Sequence, residues 1–248
     1  RGVLLFGGYQ WDAMSGAEIA QGHNSAFVDK QNRSFVVYHT RFSNGGEGHQ
    51  VRVHQLFLND EGWLMAAPFE FDGETITDAA IASKASIADA DIAGDYQFMR
   101  HQYGQNTKAK AFETPVNITL NADGTITGAE KGTWKRTAGT DYIHLTINDV
   151  VYRGVLVKQT IDYTNIPAIA ISALSSSSGS VALGQNNFTY QQEVWAVKAD
   201  AKAAIKYTVN NLTLPFADGA TLNAAPSLPT QGKMGANISW KSSDTSIL

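Results

Sequence analysis

The sequence predicts an all-β protein, on three observations. Short runs of β-branched and aromatic residues recur along the chain, apolar and polar positions alternate within them, and Gly, Asn and Asp punctuate them at regular spacing. The chain has 248 residues, 43% of them apolar and 17% charged, which is enough for one large domain or two ordinary ones with real cores. It has no cysteine, so disulfide scaffolds and thiolate metal sites are excluded. A formal net charge of −4 argues against an electrostatic nucleic-acid binder. The longest apolar stretches, 151–157 and 166–174, fall well short of the roughly 20 residues of a membrane-spanning helix.

Residues 1–74 predict one four-stranded unit. Val3-Leu4-Leu5-Phe6 reads as a strand, and the start at Arg1 without methionine suggests a processed or truncated terminus. Ala26-Phe27-Val28, Ser34 to His39, Gln50 to Leu58 and Trp63-Leu64-Met65 follow, separated by Asn44-Gly45-Gly46 and Asn59-Asp60-Glu61-Gly62. Roughly four strands in up-and-down order have the size of one propeller blade, and no second copy follows, so sister blades are expected before Arg1. Such a blade on its own would expose two apolar faces and an unpaired edge, and is expected to be poorly soluble or domain-swapped.

Residues 75–94 read as a linker, with Ser86 as the N-cap of one helical turn over 87–91. Residues 95–200 resume the β pattern at Tyr96 to Met99, Asn117 to Leu120, Thr125 to Gly128, Thr133 to Lys135, Tyr142 to Ile147, Val150 to Lys158, Ala168 to Leu174 and Glu193 to Val197. The regular spacing of hairpins favours a small barrel over a sandwich, with the serine-rich 175–180 as a mobile hairpin tip. From 201 to 248 an Ala-rich link (199–204), then 208–214 and 237–240 around an Asn, Pro and Gly loop, suggest a third, incomplete β-sandwich module. Its last residues read as a strand just beginning at Ile247-Leu248, so the chain is expected to be a fragment at both ends.

Chemistry-bearing residues are sparse. Of six histidines, four lie within the first 54 residues. His39, His49 and His54 fall on strands or near a turn without a carboxylate or cysteine at metal-motif spacing. His23 differs: Gly22-His23-Asn24-Ser25 sets an imidazole among small residues where backbone can approach a ligand. The carboxylates Asp12, Glu18, Glu47, Asp60 and Glu61 are scattered over turn-like segments with no acid/base pair, and Asp60 and Glu61 read as ordinary turn residues. There is no Gly-x-Ser-x-Gly, phosphate loop or dinucleotide fingerprint. Trp11 and Trp63 border turns and are the sugar-platform candidates, against core packing. Asn117, Asn187, Asn211 and Asn237 each open an Asn-x-Ser/Thr triplet, a number chance supplies in an Asn- and Thr-rich chain.

Gly-Gly-Tyr-Gln-Trp (7–11), Gly22-His23-Asn24-Ser25-Ala26-Phe27, Val37 to Phe42, Arg52 to Phe57 and Gly62-Trp63 through Phe69 resemble the last part of the five-bladed propeller of family 43 glycoside hydrolases, of the endo-α-1,5-L-arabinanase type. Gly94 to Phe98, Asp123 to Gly128, Gly132-Thr133-Trp134 and Tyr152 to Val155 resemble the C-terminal β-barrel of larger bacterial members, and 238–244 the opening of a bacterial immunoglobulin-like module. The resemblance implies a secreted, extracellular or cell-surface bacterial enzyme that cleaves arabinan with inversion. It places the aspartate base, the glutamate acid and the tuning aspartate in earlier blades, so no catalytic residue is expected in this chain and the chain alone is expected to be inactive. An N-terminal propeller portion is the implied partner, arabinan or arabino-oligosaccharides the implied ligand. The histidine of the Gly-His-Asn-Ser motif lies beside a calcium ion in the family, which implies calcium near His23. Calcium prefers oxygen ligands, so one imidazole and several waters would make a structural or charge-tuning site. The competing readings are a non-catalytic carbohydrate-binding or cell-surface β protein, which predicts an aromatic-lined groove on the barrel, and a structural spacer.

Overall fold

The computed structural model describes residues 3–46, 48–101, 112–176, 181–182 and 189–243. The expectations attached to Arg1, Glu47, residues 177–180, Asn187 and the final run from 244 lie outside these residues.

Four antiparallel strands form the first sheet: β1 (Glu18–Val28), β2 (Ser34–Phe42), β3 (Gln50–Leu58) and β4 (Leu64–Ala66), in the order β1-β2-β3-β4. This is the up-and-down order the alternation predicts. At the tip between β3 and β4, the Asn59 side chain accepts from the amides of Glu61 and Trp63, and Gly62 supplies the positive φ of 80° that closes the turn. Cross-strand partners share a face, so Val36, Tyr38 and Thr40 of β2 look one way with Arg52, His54 and Leu56 of β3. That face is buried.

Val3 to Phe6 is not a strand. Its side chains pack into the core beneath the sheet, Phe6 lying 5.1 Å from the Tyr38 ring and 5.5 Å from Trp195. Burial of these side chains replaces pairing, and the backbone gains ladder bonds only at Tyr9, which exchanges both with Glu18, and at Gln10 and Gly8, which meet Glu113.

Two short helices follow, α1 (Asp78–Ser83) and α2 (Asp89–Ile92). Thr77 caps α1 by accepting from the Ala80 amide. The expected cap, Ser86, caps neither helix: its amide is held by both oxygens of Asp141, and Ala88 precedes α2 without a side-chain cap.

The second body is a closed eight-stranded barrel. Its strands are β5 (Gly94–Arg100), β6 (Val116–Leu120), β7 (Thr125–Gly128), β8 (Gly132–Arg136), β9 (Tyr142–Ile147), β10 (Val150–Thr160), β11 (Pro167–Ser175) and β14 (Glu193–Ala199), with β5 closing on β14. A two-stranded ribbon, β12 (Val181–Ala182) and β13 (Thr189–Tyr190), lies between β11 and β14 in sequence. Closure removes the exposed edges that an open sheet must protect. The interior is aliphatic and aromatic: Tyr96, Phe98, Ile118, Leu120, Ile126, Ile143, Leu145, Ile147, Leu156 and Ile171 fill it, and Ile87 and Ile92 from the helical segment pack into the same cluster. Gly154 permits the β10–β11 approach, since a Cβ there would lie 2.3 Å from the Ser172 carbonyl oxygen.

Outward residues of β10, β11 and β14 (Val155, Val157, Ala170, Leu174, Trp195) join the buried face of the first sheet in one core. The sheet therefore buries one face against the barrel, where the sequence predicted two exposed faces. Where an Ala-rich link was expected the chain forms α3 (Ala201–Asn211), capped by Asp200 accepting from Ala203. Beyond it the described residues hold a 3-10 turn (Lys233–Gly235) and one isolated bridge, Gln231 to Asn237, but no strand of a sandwich.

Candidate functional site

His23 sits on β1 within an irregular stretch, where the β1–β2 register shifts between Ile19 and Gly22 and again between Gly22 and Ser25. Its φ of 49° is left-handed, an unusual state for a histidine that the bulged pairing maintains. The side chain is exposed. Its neighbours are two more imidazoles: the His23 and His39 rings are 5.9 Å apart and those of His39 and His49 4.7 Å apart. His49 Nε2 accepts from Arg41 Nε at 2.9 Å. Desolvation, then the neighbouring His49, His23 and Arg41, hold the His39 ring below the usual histidine range.

His54 does not join this group. It is fully buried on the opposite face of the sheet, donating through Nδ1 to the Ala67 carbonyl at 2.7 Å. Among the described residues no three His, Cys, Asp or Glu side chains are arranged to hold a metal ion. His23 fits a calcium ion only as one nitrogen donor, the remaining ligands being water or groups from elsewhere.

The other cluster of titratable groups lies between sheet and barrel. Tyr38 Oη donates to Glu18 Oε2 at 3.0 Å and also lies 3.1 Å from His54 Nε2. Arg52 faces Glu18 at 3.4 Å and Glu70 at 2.7 Å, and donates to the Tyr163 hydroxyl. Burial raises the carboxyls of Glu18 and Glu70 against the pull of Arg52, and raises Asp162 still further with Glu70 nearby. Burial also pushes His54 down to about 4 and His101 to about 3. Glu193, fully buried, is pushed well up by the same desolvation; its Oε1 accepts from Ala66 N, Ser172 Oγ and Trp195 Nε1, while Oε2 has no partner. Glu18 and Glu193 have no solvent exposure, so no substrate reaches them. The cluster ties sheet to barrel. None of these pairings is readable from sequence spacing; the one local signal is Glu193 itself, a carboxylate inside an apolar strand.

Asp60 and Glu61 are turn residues, as the sequence reads, and they also take part in the docking of sheet on barrel. Asp60 Oδ2 lies 2.7 Å from His144 Nε2 and 2.9 Å from Arg153 Nη1, and Glu61 lies 3.0 Å from Arg153 Nε. The β3–β4 tip is thus clamped to β9 and β10. Trp11 is a core residue with no exposure, whereas Trp63 is 42% exposed at the same tip.

A profile described as the GH43 C-terminal lipocalin-like domain matches residues 68–184. The chain is 43% identical over 146 residues to an extracellular endo-α-(1→5)-L-arabinanase of Thermotoga petrophila, covering 57% of this chain and 28% of that protein. It is 36% identical over 184 residues to extracellular endo-α-(1→5)-L-arabinanase 2 of Bacillus subtilis, covering 73% of this chain and 37% of the relative. Among solved structures, a family 43 glycoside hydrolase from Bacillus licheniformis superposes with a TM-score of 0.64 at 34% identity, over 79% of this chain and 39% of that one. The Thermotoga petrophila endo-1,5-α-L-arabinanase does so with a TM-score of 0.62 at 36% identity, over 81% and 39%. The chain spans less than half the length of each of these relatives. Residues 68–184 carry the match to the C-terminal lipocalin-like domain of family 43 glycoside hydrolases, and the chain as a whole is similar to part of the endo-arabinanases.

Proposed function

We propose that this chain is the C-terminal part of a secreted bacterial enzyme that cleaves α-1,5-linked arabinan with inversion, and that alone it does not hydrolyse arabinan. The observation that carries the reading is the 43% identity to a named extracellular endo-arabinanase. The shape of the first sheet supports it. The face turned away from the barrel carries Phe27 and Val51, 48% and 66% exposed, and among the described strands β1 pairs only with β2, its first residue Glu18 also bridging to Tyr9. That surface fits the neighbouring blades of an N-terminal propeller portion. On this reading the acid and the base belong to that other portion.

His23 is the residue of this chain that would face a calcium ion. The ion would supply fixed positive charge; the imidazole would hold and orient it from the bulge of β1. The test joins the chain to an N-terminal propeller portion and measures release of oligosaccharides from debranched arabinan. The chain alone is expected to release none and the joined protein to release them. Hydrolysis by the chain alone, or none by the joined protein, would overturn the reading. For the ion, His23→Ala in the joined protein is expected to abolish the rise in melting temperature on adding calcium; an unchanged rise would remove His23 from the site.

A further inference from the structure

An open cleft of about 1410 Å³ lies at one end of the barrel, and none of the histidines is among its lining residues. Strands β5, β6, β10, β11 and β14 form its floor and walls, and the segment 231–237 forms its roof. The roof is tied down. The Met234 amide donates to both oxygens of Asp12, at 3.0 and 2.8 Å, and the Lys233 amide to Thr208 Oγ1 of α3 at 3.2 Å. Asp12 also accepts from Gln97 Nε2 of β5 at 2.8 Å, so one carboxylate fixes roof to wall. The cleft is therefore built by three parts of the chain that lie far apart in sequence.

Its lining decides what it can hold. Five carboxylates (Asp72, Glu74, Asp91, Asp95, Asp200) stand against two lysines (Lys158, Lys198), an excess that repels anions. Amides and hydroxyls supply the rest of the polar wall: Gln97, Asn117, Thr119, Gln231 and Asn237. Gln97 Nε2 is held by Asp12 at 2.8 Å, so this side chain is fixed in the wall of the cleft. Asp95 is already anchored by Thr119 Oγ1 at 2.7 Å, so its carboxylate is oriented before a ligand arrives. The volume exceeds the roughly 300–1,000 Å³ of ordinary small-molecule pockets, as a chain of several sugar rings requires.

We propose that this cleft is a second carbohydrate site, which takes a neutral oligosaccharide through its hydroxyls and holds polymer away from the centre of hydrolysis. In the reading above the polymer is arabinan, and on that reading the identity of the sugar, but not the existence of the site, rests. The only aromatic side chain in the lining, Tyr96, is buried in the barrel, so the contacts are hydrogen bonds without ring stacking and binding is weak.

The test is a titration of the 248-residue chain, followed by amide NMR shifts, with linear α-1,5-arabino-oligosaccharides and, in parallel, xylo- and cello-oligosaccharides. Shifts are expected at Gln97, Asn117, Thr119 and Asn237. Asn117→Ala, at an exposed position, is expected to weaken binding about five- to tenfold, as loss of one hydrogen bond implies, with the melting curve unchanged. Gln97→Ala is expected to do the same where its fold is intact by circular dichroism. Cleft shifts from a xylo- or cello-oligosaccharide and not from arabino-oligosaccharides would uphold the site and overturn the arabinan reading. Arabino-oligosaccharide shifts confined to β1 and its neighbours would uphold arabinan and overturn the site. No shift from any sugar, or unchanged affinity in Asn117→Ala, would also overturn it.

Discussion

The sheet and the barrel solve the same problem, burying β-strands, in opposite ways. The barrel closes on itself around an interior of isoleucine, leucine, tyrosine and phenylalanine, and its strands need no other partner there. The sheet stays open. One face is buried, but by charged and titratable groups as well as apolar ones, and the other face presents three imidazoles and exposed apolar residues. A closed body leaves no strand edge unpaired; an open one carries surfaces that only another body completes. The interface between them holds several groups whose protonation burial has displaced, among them Glu18, His54, His101 and Glu193, so the comparison can be tested there.

Trp195 should give the largest effect. It projects from β14 of the barrel into the core beneath the sheet, donates to Ala66 of β4 at 3.0 Å and stacks against His54. Trp195→Ala should cost about 3–5 kcal/mol, read by chemical denaturation, with sheet and barrel signals lost together. Separate transitions, with the barrel unaffected, would show that the sheet folds independently.

Acid should come next. His54 and His101, with folded values near 4 and 3, are below the ordinary 6.5. The unfolded chain therefore takes up protons before the folded one does, and the stability these rings contribute is full above about pH 6.5 and is lost as pH falls toward 4. Glu193 runs the other way. Its raised value means that its contribution is full below the unfolded value of about 4.5 and is lost as pH rises. Glu193→Gln should then stabilise the protein at pH 7, on the order of 1 kcal/mol or more, and His101→Phe should flatten the fall between pH 6.5 and 4. Melting temperatures across that range, for the three proteins, check both signs.

Much of this architecture was legible in the sequence, because period-two alternation and Asn/Gly turns are local. The strands at 50–58 and 142–147 and the turn at 59–62 lie where the pattern places them, and the strand expected over 34–39 runs on to Phe42. What misled was also local. Val3 to Phe6 has strand composition, yet its apolar side chains are used to fill the seam between the two bodies. Residues 201–211 have no strong apolar period, but Asp200 caps them and Ala204 and Thr208 bury a narrow face, enough for α3. The site was legible only in part. Gly22-His23-Asn24 marked a real irregularity of β1, whereas the approach of His39 and His49 to it depends on register, and Asp60 meets His144 across 84 positions. Contacts of that length leave no trace in spacing.

The clamp at the β3–β4 tip should carry less energy than the core beneath it. Asp60 is partly exposed, and so are its partners His144 and Arg153, so solvent screens each pair. Asp60→Ala should cost about 1 kcal/mol, and a cycle with Arg153→Ala should return a coupling of about 0.5–1 kcal/mol that shrinks in high salt. A coupling several times larger would mean that the tip, and not the apolar seam, holds sheet to barrel.

The smallest effect should fall on the open face, and that is what makes it diagnostic. His23 is exposed and touches His39 edge to face, so His23→Ala should alter the stability of this chain by no more than about 0.5 kcal/mol. Its backbone, at a φ of 49°, favours glycine, so His23→Gly should be neutral or slightly stabilising. If His23→Gly instead destabilised the isolated chain by 2 kcal/mol or more, the imidazole would be a structural member of β1, and the contrast between a self-sufficient barrel and a sheet that waits for a partner would lose its sharpest point.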